Sequence, residues 1–184
     1  MIIGLTGFIG SGKTIASKYI SKKLDYPIFI CDDIAKEIEN RREIKNKINE
    51  IKKKYNRTDL KEIFIDINFK TEIEEIIHKE TWNELKKYAK NNKNFIIETA
   101  LPSNEFFNNT NFSIYIYSFK KNIIDRLIKY RNYSLDKINK ILFYQNEYKK
   151  FYEKCDFIIE NNNNIEYLKE KIDEICINRI GLKW

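Results

Sequence analysis

The chain has 184 residues, 42% of them hydrophobic, which suits one globular domain and excludes an intrinsically disordered chain. It has no run of 18 apolar residues, and its short apolar start lacks the basic segment of a signal peptide. We therefore expect a cytoplasmic protein without a membrane span. The net charge of +7 favours anionic partners, but most lysines alternate with glutamates, as on solvated helices. We expect phosphorylated metabolites as ligands rather than nucleic acid.

Five short apolar runs predict buried strands. They are rich in Ile, Phe and Tyr and lack alternation with polar residues, which is typical of strands covered on both faces. In chain order these strands are Ile2–Thr6, Pro27–Cys31, Phe95–Thr99, Ser113–Tyr117 and Asp156–Ile159. Helical spacing occurs at Lys13–Leu24, Lys120–Tyr130, Asp136–Lys154 and Ile165–Ile177. The alternation predicts an α/β fold with a five-stranded parallel sheet between layers of helices.

The turn after the first strand carries the strongest motif. Residues 7–14 read Gly-Phe-Ile-Gly-Ser-Gly-Lys-Thr and match G-x-x-x-x-G-K-[ST] at every fixed position. Glycines let backbone N–H groups turn toward phosphate oxygens, and the helix start adds further donors. Lys13 is expected to reach the β- and γ-phosphates of ATP, and the Thr14 hydroxyl to bind Mg²⁺. The nucleotide-binding residues that the motif predicts are Gly7, Gly10, Ser11, Gly12, Lys13 and Thr14.

This motif, called the P-loop, is shared by kinases, GTPases and motor proteins. The chain has no Asn-Lys-x-Asp motif for reading guanine, and it is short for a motor. We therefore favour a P-loop kinase, whose remaining catalytic groups should lie at the carboxyl ends of the strands.

Asp32 and Asp33 directly follow the second predicted strand. A carboxylate there can accept the proton of an acceptor hydroxyl during phosphoryl transfer. It can equally well cap a helix that begins near Ile34. The residues alone leave both interpretations open.

About sixty residues separate the second and third strands, far more than an ordinary connection. We interpret residues 34–93 as a helical insertion, with Ile73, Ile76, Ile77 and Trp82 along one face. The insertion either binds the acceptor or serves as a structural cap. We also expect a lid at about residues 119–150.

Three charged residues near later strands are further candidates. Glu98, near the end of the third strand, can hold Mg²⁺ through water, orient substrate or cap the following turn. Arg126 and Arg131 can stabilise the transferred charge with their forked donors. Five positions on one helix separate side chains by about 140°. Arg131 can therefore join Arg126 at ATP only if it lies past the helix end, before Ser134. The alternative is that both arginines are solvated.

These motifs together resemble the dephospho-coenzyme A kinases over nearly the whole chain. The start looks like that family's L-T-G-G-I-G-S-G-K-S, and residues 30–36 resemble D-A-D-x-I-A-R with Asp32 at the second aspartate and Ile30 at the first. Other matching segments are Ile73–Lys79 with His78, Glu98–Leu101, Arg126–Arg131 with one extra residue, Gln145, and Asp156–Asn161.

We expect a monomer. The resemblance implies an enzyme that transfers the γ-phosphoryl group of ATP, with Mg²⁺, to the ribose 3′-hydroxyl of dephospho-coenzyme A. It makes Asp32 the base, with Lys13 and Arg131 as further catalytic residues. It adds Ile15, Arg126 and Asn161 to the nucleotide site, and the acceptor residues that it implies are Asp32, Lys36, His78, Glu98 and Gln145. Two alternatives stay open: another P-loop small-molecule or nucleotide kinase, and a nucleotide-binding regulator without transfer activity.

Overall fold

The computed structural model describes residues 1–59, 66–179 and 181. The chain forms two compact units, which we call the sheet unit (Met1–Ile30 with Lys93–Trp184) and the helical unit (Cys31–Asn92). Part of the predicted insertion, residues 60–65, lies outside the described residues. Among those described, no helix combines the length and apolar character that a bilayer crossing needs.

The strands of the sheet unit confirm the predicted α/β fold. The elements in chain order are β1 (Ile2–Thr6), α1 (Lys13–Leu24), β2 (Ile28–Ile30), α2 (Cys31–Asn40), α3 (Arg42–Lys54), α4 (Ile67–Asn91), β3 (Phe95–Thr99), α5 (Asn104–Asn108), β4 (Phe112–Tyr117), α6 (Lys120–Arg131), α7 (Leu135–Asn146), α8 (Lys149–Tyr152), β5 (Phe157–Glu160), α9 (Ile165–Asp173) and a π-helix (Glu174–Arg179).

All pairings in the sheet are parallel, in the order β2-β3-β1-β4-β5. Thr6, the last residue of the central β1, lies opposite Thr99 of β3 and Tyr115 of β4. The carboxyl ends of these strands therefore meet at one edge, where open α/β sheets bind their ligands.

Helices cover both faces of the sheet, as the apolar strands require. On one face Ile3, Leu5 and Ile114 pack in one buried cluster with Ile20 of α1 and Leu168 of α9. On the other, the Tyr115 ring stacks on Tyr152 of α8 at a centroid distance of 4.7 Å. Such burial supplies most of the favourable free energy of folding.

Two helix predictions differ from the structure. The single helix predicted over Asp136–Lys154 is divided into α7 and α8, and Tyr148, between them, is buried beside Tyr115 and Tyr152. Burial of these rings outweighs helix continuity, which the local spacing could not reveal. The helix predicted over Ile165–Ile177 changes to π-helix after Asp173.

The helical unit is built around a row of isoleucines. Ile44, Ile48 and Ile51 recur at helical spacing on α3 and pack with Ile73 and Ile77 of α4. Asp66 begins α4 as its N-cap, since its carboxylate accepts hydrogen bonds from two first-turn N–H groups. The predicted apolar face of this segment is present: Ile76 also packs against the cluster, and Trp82 is buried.

Candidate active site

The loop between β1 and α1 has a backbone that only glycine adopts without strain. Gly10 and Gly12 have φ angles of +75° and +107°, in the left-handed region. A Cβ atom at Gly12 would lie 2.2 Å from Nδ2 of Asn161. The side chain of Asn161 therefore fills the space that a larger residue at position 12 would need.

Side chains from three distant segments hold this loop. Asn161 Nδ2 donates to the Ser11 carbonyl oxygen at 2.7 Å, and Arg126 Nη1 donates to the Gly10 carbonyl oxygen at 3.3 Å. From α7, Gln145 Oε1 accepts the Ile9 N–H at 2.9 Å. Carbonyl oxygens would repel a phosphate group, and here two of them are occupied by donors, which suits an anion-binding loop.

Arg126 also binds beyond the loop. Its Nη2 donates to the Asn161 carbonyl oxygen at 2.8 Å, and its Nη1 donates to Ser118 Oγ at 3.1 Å. Burial lowers the pKa of this guanidinium from its usual value, against the attraction of Tyr130, yet an arginine remains protonated at neutral pH. Arg126 thus links α6, the end of β5 and the P-loop.

The motif residues Lys13 and Thr14 open α1. Lys13 is buried, and its Nζ donates to the Phe8 carbonyl oxygen at 3.2 Å, across the loop. Thr14 Oγ1 donates to Glu98 Oε1 at 2.5 Å, and Ser17 Oγ donates to Glu98 Oε2 at 2.5 Å. Glu98, only 4% exposed, is therefore paired with two hydroxyls of the helix that follows the P-loop.

The third interpretation of Glu98, as the cap of the following turn, does not match these hydrogen bonds. Thr99 takes that place, because its Oγ1 accepts the Leu101 N–H at 3.1 Å.

Two hydroxyls at the loop fit a triphosphate with its metal ion. Thr6 Oγ1 and Ser11 Oγ are buried, and within the described part of the chain neither has a hydrogen-bond partner. Buried polar atoms are nearly always paired, so an outside partner is expected there. The hydroxyl and carboxylate oxygens of Thr14 and Glu98 are ligands that suit Mg²⁺, directly or through water.

The helical unit carries the other sequence-predicted residues. Helix α2 begins at Cys31, directly after β2, so the expected start near Ile34 is wrong. Asp32 and Asp33 consequently lie in its first turn. Asp32 is half-buried, whereas Asp33 is exposed and forms an ion pair with Lys36 at 3.1 Å. His78 lies on α4 and is half-buried.

The two arginines do not share one face. Arg131 is still within α6, and the helix ends only at Asn132, which adopts the left-handed conformation that asparagine tolerates. The condition for both arginines to reach ATP, that Arg131 lies past the helix end, is therefore not met. Its side chain is exposed, about 140° around the helix from Arg126.

Sequence reasoning missed Ser17 and the connections of Gln145 and Asn161 to the loop. Ser17 follows Thr14 by three positions, which places both hydroxyls on one side of α1, so helical spacing alone could have identified it. The bonds from Gln145 and Asn161 span more than 130 residues, and no local pattern reveals them. Ile15 is partly exposed in the first turn of α1.

The fold is similar to those of solved structures that include two kinases. The chain matches the crystal structure of TT1252 from Thermus thermophilus with a TM-score of 0.73, at 18% identity and 97% coverage of both chains. It matches a shikimate kinase from Acinetobacter baumannii, in complex with shikimate, with a TM-score of 0.59, 16% identity and coverage of 97% and 93%. A dephospho-CoA kinase from Campylobacter jejuni has a TM-score of 0.53, 21% identity and coverage of 97% and 96%.

Sequence comparison identifies a family, which the likeness of fold alone does not. Residues 1–167 match the family model described as dephospho-CoA kinase. A dephospho-CoA kinase from Fusobacterium nucleatum subsp. nucleatum is 31% identical over 191 aligned positions, which cover 96% of this chain and 97% of that one. The chain therefore belongs to the dephospho-CoA kinase family, the enzymes that phosphorylate dephospho-coenzyme A in the last step of coenzyme A biosynthesis.

Proposed function

We propose that residues 7–14 hold ATP with Mg²⁺, and that Asp32 removes the proton from the ribose 3′-hydroxyl of dephospho-coenzyme A. The observation that carries this proposal is the P-loop itself, whose carbonyl oxygens are held by Asn161 and Arg126 while the Thr14 hydroxyl meets the buried carboxylate of Glu98. A loop of this kind is suited to a polyanion, and family membership supplies the acceptor.

Thr14 and Glu98 are the proposed metal-binding pair. Their oxygens already lie within hydrogen-bond distance, so both can contact one hydrated ion with small rotations of the side chains. When bound, Mg²⁺ neutralises charge on the β- and γ-phosphates. Ser17 holds the second carboxylate oxygen of Glu98 and keeps it oriented toward Thr14.

Lys13 provides the cation for the transferred group. Its ammonium now satisfies the Phe8 carbonyl oxygen and is proposed to exchange that contact for the β- and γ-phosphate oxygens. Arg131, exposed at the end of α6, is proposed as a second cation that acts without Arg126, whose donors hold the loop instead. Arg126 and Asn161 support the nucleotide site by fixing the loop, and Ile15 is proposed to contact the nucleotide.

Asp32 is proposed as the base because it follows β2 by two residues, at the strand end where ligands of such sheets bind. Its carboxylate takes the hydroxyl proton while the ribose oxygen bonds to the γ-phosphorus. The bond from that phosphorus to the bridging oxygen breaks, and ADP leaves. Asp33 suits this role less, since its side chain is exposed whereas that of Asp32 is half-buried.

The helical unit is proposed to bind the acceptor, with His78 and Lys36 among the contact residues. They lie in two segments that resemble motifs of the family, and Lys36 carries a positive charge suited to an anionic acceptor. Gln145 was expected at the acceptor as well; its contact with the Ile9 N–H favours a role in supporting the loop.

A coupled assay of ADP release with dephospho-coenzyme A as acceptor tests the proposal. We expect turnover by the wild type and a loss of roughly 10²–10⁴-fold in kcat for Asp32→Asn, the usual contribution of a general base. Asp33→Asn is the matched control and should retain activity. Turnover only with nucleosides or nucleoside monophosphates would overturn the acceptor assignment, and an Asp32→Asn variant with full activity would overturn the base.

A further inference from the structure

A cavity of about 620 Å³ lies within the sheet unit, beside the P-loop. Phe8, the second residue of the loop, forms part of its wall together with Ile123 of α6 and Leu142 of α7. Its volume lies in the range of about 300–1,000 Å³ that is typical of small-molecule sites. Apart from Phe8 of the P-loop, none of the residues assigned above to ATP, Mg²⁺ or proton transfer lines it.

The cavity and the P-loop are connected by residues that belong to both or contact both. Gln145, on α7 between the lining residues Leu142 and Asn146, is buried and accepts the Ile9 N–H. Phe8 also packs on Tyr152, with ring centroids 5.1 Å apart. A molecule in this cavity would therefore be held in a fixed relation to the phosphate-binding loop.

Apolar, amide and cationic side chains line the cavity together. The aromatic and aliphatic side chains are joined by two carboxamides, Asn139 and Asn146, and by the ammonium group of Lys120. At the rim, Phe143 leaves 76% of its surface exposed. The lining suits a flexible chain that carries both amide and methyl groups and is attached to an anion.

We propose that this cavity binds the pantetheine arm of dephospho-coenzyme A, a proposal that rests on the proposed function. The two amides of the arm match the side chains of Asn139 and Asn146, which can both donate and accept. Its geminal methyl groups match the apolar wall. Lys120 suits the diphosphate that joins the arm to the adenosine. The cavity then distinguishes dephospho-coenzyme A from an ordinary nucleotide.

Steady-state kinetics on the full-length enzyme test the cavity. For Phe143→Ala we expect the KM for dephospho-coenzyme A to rise about tenfold with kcat nearly unchanged, because the lost contact is the same in ground and transition states. The KM for ATP should stay within a factor of two. Leu135→Ala is the control: it removes an exposed apolar side chain from the same helix, outside the cavity, and should leave both KM values unchanged.

A second measurement uses 4′-phosphopantetheine, which carries the arm without the adenosine. It should inhibit the wild type competitively against dephospho-coenzyme A, and Phe143→Ala and Asn146→Leu should weaken that inhibition. A rise in the KM for ATP instead would assign the cavity to the donor nucleotide and overturn the proposal, as would unchanged kinetics in both variants. Absence of wild-type turnover with dephospho-coenzyme A is a separate result, which counts against the proposed function itself.

Discussion

The P-loop and the isoleucine cluster of the helical unit are ordered by different kinds of interaction. Around the loop, Arg126, Gln145 and Asn161 make directional hydrogen bonds to backbone atoms that are distant in sequence. In the helical unit, Ile44 and its neighbours pack in an apolar cluster, and the polar contacts, such as the ion pair of Arg41 with Glu84, surround it.

This difference has a consequence for substitution. A hydrogen bond to a buried backbone atom requires a particular donor or acceptor, and its loss leaves a polar group unsatisfied. An apolar cluster mainly requires volume, and cores accept hydrophobic replacements of similar size. We therefore expect the loop to reject conservative changes that the helical unit tolerates.

Gly12→Ala should have the largest effect. The left-handed backbone opposes any side chain, and Asn161 Nδ2 cannot swing away from the new Cβ without breaking its bond to the Ser11 carbonyl oxygen. We expect ATP affinity, measured by titration calorimetry, to fall by at least about 1,000-fold, or about 4 kcal/mol. Gly181→Ala is the matched control, since Gly181 also has a positive φ angle but its Cβ would meet no atom within 4 Å. Equal ATP affinity in Gly12→Ala and the wild type would mean that the loop is not held as rigidly as these bonds imply.

Ile44→Ala tests the other side of the comparison. Ile44 is fully buried, and truncation of such a side chain leaves a cavity. We expect the free energy of unfolding to fall by about 3 kcal/mol, measured by urea denaturation. Ile44→Leu keeps the volume and should cost less than about 1.5 kcal/mol. If both variants were equally destabilised, shape rather than volume would govern this cluster.

The fold was predictable because its determinants are local. The apolar runs at Ile2–Thr6 and Phe95–Thr99 coincide with β1 and β3, since strands buried on both faces are mostly apolar. The P-loop was equally evident, because its chemistry requires particular residues at fixed spacing.

The arrangement around the site was less predictable, because it depends on tertiary contacts. The sequence suggested Asn161 and Arg126 as nucleotide ligands, but in the structure their hydrogen bonds hold the P-loop backbone. Whether Arg131 lies within α6 depends on where that helix ends, and it ends at Asn132, which has a left-handed conformation. In the sequence, such an asparagine is hard to distinguish from an ordinary loop asparagine. The catalytic role of Asp32 stays a prediction.

Arg126→Ala and Arg131→Ala sharpen the distinction between support and chemistry. Removal of Arg126 leaves the Asn161 and Gly10 carbonyl oxygens without their donor, so we expect a loss of about 2 kcal/mol in the free energy of unfolding and a higher KM for ATP. Arg131 is exposed, and its removal should change stability by less than about 0.5 kcal/mol. A lower kcat in Arg131→Ala at unchanged stability is the expected sign of its proposed role at the phosphates. Unchanged stability in Arg126→Ala would contradict the supporting role.

The smallest effect concerns a polar contact of the sheet unit away from the loop. The Tyr19 hydroxyl donates to both carboxylate oxygens of Asp173, at 2.9 and 2.8 Å. Burial, and then this hydrogen bond, raise the pKa of Tyr19 from 10.0 to about 12. The folded state thus favours the neutral phenol, so its contribution to stability is complete below pH 10 and is lost as the pH rises toward 12.

Tyr19→Phe should cost about 1 kcal/mol of unfolding free energy at neutral pH and should flatten the fall in stability between pH 10 and pH 12. The measurement is urea denaturation at pH values from 8 to about 11.5, with Tyr26→Phe as the control. If the free energy of unfolding of Tyr19→Phe fell equally steeply with pH, other groups would determine the loss of stability at alkaline pH. Hydrogen bonds near the P-loop would then contribute to stability more than this one elsewhere in the sheet unit.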